Sequence, residues 1–284
     1  MTADTGSTLV NGAPAHSIDA ADRGLSYGDG VFETIAVVEH QPRLWDGHLQ
    51  RLTVGCERLG FEAPARHEWL DDLSLLALPR FGVLRISVTR GMGGRGYAPP
   101  PSPRPTRIVR CLDAPTHPTE WWSPGVAVRF CRMRLAIQPA LAGIKHLNRL
   151  EQVMARQEWQ TPDIAEGLME TTDGRVIEAT ASNLIVDQGD RLSVPATHDG
   201  GVDGVMQTWL LDRAAALGAT VERAAMRRDD LLTARGVMLT NSLIGLWPVR
   251  TIAERSMPHS PWADQLQSEI TRSQAALMPT VTEP

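Results

Sequence analysis

Residues 82–91, GVLRISVTRG, alternate without interruption: Leu84, Ile86 and Val88 fall on one side of an extended chain, Arg85, Ser87 and Thr89 on the other. Such a segment satisfies its backbone and buries its apolar side only as a strand in a sheet covered on one face. A partner strand is expected in RPTRIVRCL, residues 104–112, and the intervening GMGGRGYAPPPSPRP, dense in glycine and proline, reads as a long hairpin loop. The β-branched and apolar run VFETIAVVEHQPRLW, residues 31–45, supplies another strand. A cover for the sheet follows in DGHLQRLTVGCERLGF, where Asp46 is expected to cap a helix with Leu49, Leu52, Cys56 and Leu59 on one face.

Further along, GVAVRFCRMRL predicts a strand and LNRLEQVMARQEW, residues 147–159, a helix. Two strand runs lie in GLMETTDGRVIEATASNLIVDQGDRLSVP, broken by the turn dipeptides Asp173-Gly174 and Gly189-Asp190. A helix is expected in GVMQTWLLDRAAALG, then more strand-like runs and a last helix in PWADQLQSEITRSQAAL. No fixed period repeats, and the mixture predicts two α+β domains. The boundary is placed in DAPTHPTEW: a smaller domain over 1–114, a linker over 115–121, and a larger domain over 122–284 that carries Lys145.

A chain of 284 residues with 42% hydrophobic and 21% charged residues can bury a substantial core. Its net charge of −5 and pI near 5.9 argue against nucleic-acid binding through bulk charge. Cys56, Cys111 and Cys131 are odd in number and widely spaced, so neither a disulfide framework nor a metal site is indicated. MTADTGSTLV does not join a basic stretch to an apolar run, and no stretch is apolar enough to span a bilayer; a cytoplasmic protein without membrane partners is expected.

Of 28 lysines and arginines, one is lysine: Lys145, in GIKHLNRLEQV, between a predicted strand and a predicted helix. Guanidinium stays protonated, whereas an ε-amine can lose its proton and act as nucleophile or base. An aldehyde cofactor bonded to that amine, with pyridoxal phosphate the leading candidate, needs an acid near its ring nitrogen and an anion site for its phosphate. Glu178, at the end of a strand beside Ser182 and Asn183, is the candidate acid. Gly200, Gly201 and Gly204 precede a helix that starts near Val205, whose amides and dipole would favour an anion. Asn241 and Ser242, in TNS, and Arg51 are further candidates for the same site. Taken singly, each of these also reads as an ordinary cap, strand-end or surface residue.

RGLSYGDGVFETIAV, HLQRL, GGRGY, GIKHLNRLEQV, AEGLMETTDGRVIEATASNL, GVDGVMQ and TNSLIGLWPV occur in the order and approximate spacing of the fold-type IV pyridoxal-phosphate enzymes. The chain resembles that family from residue 8 to residue 250, and GIKHLNRLEQV with GGRGY resembles its aminodeoxychorismate lyase branch. The resemblance implies a two-domain α+β fold like that of the D-amino acid and branched-chain aminotransferases, with the active site between the domains, and a homodimer acting on a small molecule. It implies that Lys145 bonds covalently to pyridoxal 5′-phosphate, that Glu178 pairs with the ring nitrogen, and that Arg51, the amides of Val205 and Met206, and Ser242 hold the phosphate. Thr34 matches a position suggested to donate a proton to the leaving group, though it also reads as a β-branched strand residue. A substrate with two carboxylates calls for fixed cations, and Arg95 and Arg107, with Tyr97, are the candidates. Relatives usually carry Arg where this chain has Gln207, and the position of Ser242 varies among the lyases. An aminotransferase of the same fold, or a cofactor-binding protein without catalysis, would share most of these residues.

Overall fold

By its contacts the chain divides into two units, one reaching Pro115 and including Ile144–Asn148, the other comprising Thr116–Gly143 and the chain from Arg149 onward. The structure, a computed structural model, describes residues 7–275. The first unit contains β1 (Thr8–Val10), β2 (Ala13–Pro14), α1 (Arg23–Tyr27), β3 (Gly30–Val38), β4 (Gln41–Pro42), α2 (Trp45–Leu59), α3 (Arg66–Ser74), β5 (Phe81–Thr89) and β6 (Thr106–Asp113). Its strands form an antiparallel sheet in the order β2-β1-β6-β5-β3-β4.

The alternation of β5 does what its pattern requires. Leu84, Ile86 and Val88 are wholly buried and pack with Val31, Ile35 and Val37 of β3, with Leu49, Leu52 and Cys56 of α2, and with Trp69 of α3. The segment between β5 and β6 is a hairpin loop, since Thr89 pairs with Thr106. Arg23, buried to 4% exposure, pins it by donating to the carbonyls of Gly96 (3.1 Å) and Tyr97 (3.0 Å). Asp46 does not cap α2. Leu44, left-handed at φ 52°, is the N-cap, while Asp46 lies in the first turn and pairs with Arg66 at 2.6 Å. α3 buries only Trp69 and Asp72, which leaves no helical apolar stripe in the sequence to announce it.

The second unit contains β7 (Val126–Leu135), α4 (Leu150–Arg156), β8 (Ile164–Thr171), β9 (Val176–Ala179), β10 (Asn183–Asp187), β11 (Leu192–Pro195), α5 (Val205–Ala216), β12 (Val221–Ala224), α6 (Arg228–Leu232), β13 (Gly236–Asn241), β14 (Gly245–Ile252), β15 (Arg255–Ser256) and α7 (Pro261–Ser273). Its sheet runs β12-β11-β10-β13-β14-β7-β8-β9, with β15 on β14. β7 is parallel to both β8 and β14, and β11 is parallel to β12. The two strand runs expected over 167–195 resolve into four strands, because the chain also turns at Thr180–Ser182 without glycine or proline. α7 starts as its sequence suggests, with Ser260 accepting from the amide of Trp262 and proline in the first turn; the last expected residues of this helix lie outside the described ones.

Two boundaries differ from the sequence reading. The helix expected over 147–159 occupies only 150–156, because Ile144–Asn148 runs extended along the start of β3: Phe32 N donates to Lys145 O and Leu147 N to Gly30 O, both at 2.9 Å. Lys145 therefore packs with the first unit, not with the larger one. The expected linker is also structured. Thr119–Trp121 forms a short 3-10 helix, and the ring centroids of Trp121 and Trp122 lie 4.8 Å and 5.6 Å from that of Trp247 in the second unit.

Gly91 closes the hairpin loop at φ +83°, where a Cβ would meet the Arg104 carbonyl oxygen at 1.8 Å. Gly91→Ala is therefore expected to lower unfolding free energy by about 2 kcal/mol or more, since backbone must move as well as adopt a disfavoured φ. Urea denaturation of the variant and parent, with equal m-values, checks this.

Candidate active site

Lys145 owes its place to the backbone pairing with β3, which leaves its ammonium nitrogen 4.7 Å from the centroid of the Phe32 ring. Arg85 lies over the same ring at 4.4 Å. Phe32 and Thr34 share one face of β3 by the strand period, the face opposite to that of Val31, Ile35 and Val37. Thr34 is half-buried and directly opposite Arg85 on β5, which is in turn directly opposite Arg110 on β6. A hydroxyl and two guanidinium groups thus stand in one cross-strand row. Burial, and then the neighbouring Arg110, pull the pKa of Arg85 down, as expected of like charges placed opposite one another. An anion in this row would relieve that repulsion. Alternation alone marked Arg85 as facing away from the core; only strand register brings Arg110 beside it.

On the other face of β3 lies Glu33, a wholly buried carboxylate. Arg51 donates to it through Nε (2.7 Å) and Nη2 (2.5 Å), and His48 Nδ1 lies 2.7 Å from Oε2. Burial works against ionisation of Glu33, but the charge of Arg51 and the hydrogen bond of His48 outweigh it and hold its pKa down to about 2. Burial lowers the pKa of His48, although Glu33 acts to raise it.

The second unit carries the other expected residues. Glu178, in β9, is buried; its Oε2 accepts from the Val202 amide at 2.8 Å and its Oε1 from the Gln152 side chain at 3.3 Å. Asn183 donates to the Val202 carbonyl at 2.8 Å, so the two candidates grip opposite ends of one residue. The glycines around it serve this grip. A Cβ on Gly201, at φ +80°, would meet Ile177 at 2.4 Å and Glu178 at 3.2 Å, and one on Gly204 would meet Asn183 Oδ1 at 2.0 Å. Gly204 is the N-cap of α5 and offers no capping side chain, so the amides of Val205 and Met206 open the helix without one. Gln207 turns inward, 2% exposed, donating to Leu184 O at 2.8 Å.

Asn241 binds protein through its whole side chain: Oδ1 accepts from Leu243 N (2.9 Å) and Ile244 N (3.0 Å), and Nδ2 donates to Ala181 O (3.1 Å) and Ser182 Oγ (3.3 Å). It orders the turn that presents Ser242, which is half-buried. Glu166 organises the facing turn, accepting from Thr180, Ser182 and the amide of Ala181; its burial raises its pKa, partly offset by those donors. Among the described residues, no cluster of His, Cys, Asp or Glu is arranged to hold a metal ion, and no helix is long and apolar enough to cross a membrane.

The expected substrate residues do not converge. Arg95 is exposed and Tyr97 is 86% exposed, near Tyr27 at 5.4 Å between ring centroids. Arg107 is committed elsewhere: it donates to Asp72 through Nε (2.5 Å) and Nη2 (3.1 Å) and to Glu68 (2.6 Å), above the ring of Trp69. Hydrogen bonding to Asp72 raises its pKa further. It ties β6 to α3.

Residues 30–252 match the family described as Amino-transferase class IV. The chain is 34% identical over 245 residues to the aminodeoxychorismate lyase of Vibrio harveyi, covering 86% of this chain and 90% of that one. It is 27% identical over 242 residues to the D-alanine aminotransferase of Bacillus licheniformis, covering 83% of each. The crystal structure of 4-amino-4-deoxychorismate lyase from Pseudomonas aeruginosa superimposes with a TM-score of 0.91 at 42% identity, covering 94% of this chain and 99% of that one.

Asp72 has a side chain only 1% exposed, so removing Arg107 leaves its carboxylate uncompensated. Arg107→Ala is expected to cost about 3 kcal/mol in chemical denaturation, with the Michaelis constant for any substrate unchanged in the fraction that folds. A normal denaturation midpoint with a raised Michaelis constant would restore Arg107 to substrate binding.

Proposed function

The chain belongs to the class IV amino-transferase family, and from that premise we propose that it is a pyridoxal-phosphate-dependent carbon–oxygen lyase that converts 4-amino-4-deoxychorismate to p-aminobenzoate and pyruvate, a step of folate biosynthesis. The observation that carries the reading is local to the second unit. A buried carboxylate and an anion-receptive helix start are held on the same loop: Glu178 accepts from Val202, and α5 begins at Val205. These are the acid and the anion site that this cofactor needs, and Lys145 is the one lysine able to bond to its aldehyde.

When bound, pyridoxal phosphate supplies the electron sink for removing a proton from the carbon that bears the substrate amine. Glu178, which accepts hydrogen bonds at both oxygens, would pair with the ring nitrogen and hold its proton. Arg51, the amides of Val205 and Met206, and Ser242 would receive the phosphate. Asn183 and Asn241 act through the protein, by fixing Val202 and the turn at Ser242. Lys145 Nζ takes the proton from the substrate carbon, and the hydroxyl of Thr34 gives one to the departing enolpyruvate oxygen, after which the ring becomes aromatic. The row from Thr34 through Arg85 to Arg110 offers cations for the substrate carboxylates in place of Arg107. The enzyme works in the cytoplasm as a homodimer. What supports the dimer is α4, where Leu150, Val153 and Met154 are exposed at helical spacing, an apolar stripe suited to a second copy.

An aminotransferase must pass through an amine form of the cofactor and needs an oxoacid to continue, whereas the lyase does not. With 4-amino-4-deoxychorismate and no oxoacid, the protein is expected to release p-aminobenzoate and pyruvate in equal amounts over many turnovers. A stall after one turnover, relieved by 2-oxoglutarate, would make it a transaminase. Borohydride reduction followed by peptide mapping should place a pyridoxyl group on Lys145, and Lys145→Arg should abolish both the label and the cofactor absorbance.

A further inference from the structure

We infer that Glu33 and His48 are positioning residues, which together fix the guanidinium of Arg51 in the orientation that receives the cofactor phosphate. The inference rests on the reading that Arg51 is a phosphate ligand. On the core-facing side of β3, the residues around Glu33 are Val31, Ile35 and Val37, so an apolar side chain is what the packing of this face calls for. Burying a carboxylate there is costly, and an ion pair at such a site is no more stable than well-packed apolar residues. Fold stability alone therefore gives no reason for it.

The geometry gives one. Glu33 meets Arg51 along its Nε–Nη2 edge at 2.7 Å and 2.5 Å, a fork that fixes the plane of the guanidinium. His48 and Arg51 are three residues apart on α2, on one helical face, and His48 Nδ1 at 2.7 Å holds the carboxylate in turn. Because the ionised carboxylate can only accept, the Nδ1 of the imidazole carries the hydrogen. Glu33 and His48 are 0% exposed and the Arg51 side chain 13% exposed, so the anchor is dry while the arginine reaches the surface of its unit. A long side chain that would otherwise sample many rotamers is ordered before any anion arrives, which removes that entropy cost from binding.

The test uses the full-length chain stripped of cofactor and titrated with pyridoxal 5′-phosphate and with pyridoxal, following the absorbance of the bound aldehyde. Both bond to the same lysine, so the ratio of their affinities isolates the phosphate. Arg51→Ala should reduce that ratio by about 10-fold or more. Glu33→Gln, nearly the same shape but with one neutral acceptor in place of the charged two-oxygen fork, should reduce it several-fold while leaving pyridoxal binding unchanged, and should add nothing in an Arg51→Ala background. If Arg51→Ala leaves the ratio unchanged, the phosphate reading of Arg51 fails and takes the inference with it. If Arg51→Ala lowers the ratio and Glu33→Gln does not, or if Glu33→Gln weakens both aldehydes alike, the reading stands and the inference is overturned. Should Glu33→Gln not fold, His48→Phe carries the same comparison: a reduced ratio supports the anchor and an unchanged ratio overturns it.

Discussion

Two backbone hydrogen bonds, Phe32 N to Lys145 O and Leu147 N to Gly30 O, decide where the chain's only lysine is held. They make residues 144–148 an extended strip along β3 and delay the following helix to Leu150. The close approach depends on Gly30, where a Cβ would lie 2.3 Å from the Val88 carbonyl and 2.9 Å from Leu147. The backbone of Lys145 is thus placed by main-chain pairing, and its side chain extends from a fixed point on β3. Phe32, whose amide makes one of these bonds, also presents its ring to the ammonium group.

Arginine is the abundant cation here, and its roles divide by what faces it. Arg23 and Arg90 enclose Asp29, Arg107 holds Asp72, and Arg134 and Arg228 hold Glu170; in each case the carboxylate oxygens meet the guanidinium and the pair ties elements together. Burial opposes ionisation of Asp29, but hydrogen bonds from Arg90 and Arg23 hold its pKa low. Arg85 differs in having another arginine directly opposite it across the sheet. Like charges opposed across a sheet are unfavourable for folding, so an anionic ligand is the natural complement to that row.

The turn between β9 and β10 shows how a buried acid can replace glycine or proline as the organiser of a loop. Glu166 gathers the donors of Thr180, Ala181 and Ser182, and Asn241 ties the same turn to residues 243 and 244. The ends of β9 and β13, which carry Glu178 and lead to Ser242, are therefore braced against each other by side-chain hydrogen bonds. Sequence reading misses this turn, because its cause is a residue fourteen positions earlier whose partners become neighbours only through strand pairing.

The alternation of β5, the long loop to β6, the start of α5 and the solitary lysine were legible in the chain because each is a local property: a side-chain period, a cluster of glycine and proline, a glycine before an apolar helix, a unique functional group. Lys145, Glu178 and Arg51 were candidates for the same reason, as residue types within short motifs. The local signal did not reach the commitments of the side chains. Arg107 and Arg85 are both strand arginines in the sequence, yet one meets Asp72 of a helix with no apolar period and the other meets Arg110 across a register set by hydrogen bonding. Asn241, a candidate ligand by its motif, ties Ala181 to Leu243. The lysine's own unit was decided by main-chain pairing that no side-chain pattern encodes. Composition and periodicity report what a residue can do; which partner it meets depends on contacts between distant segments, and those exist only once the sheets have closed.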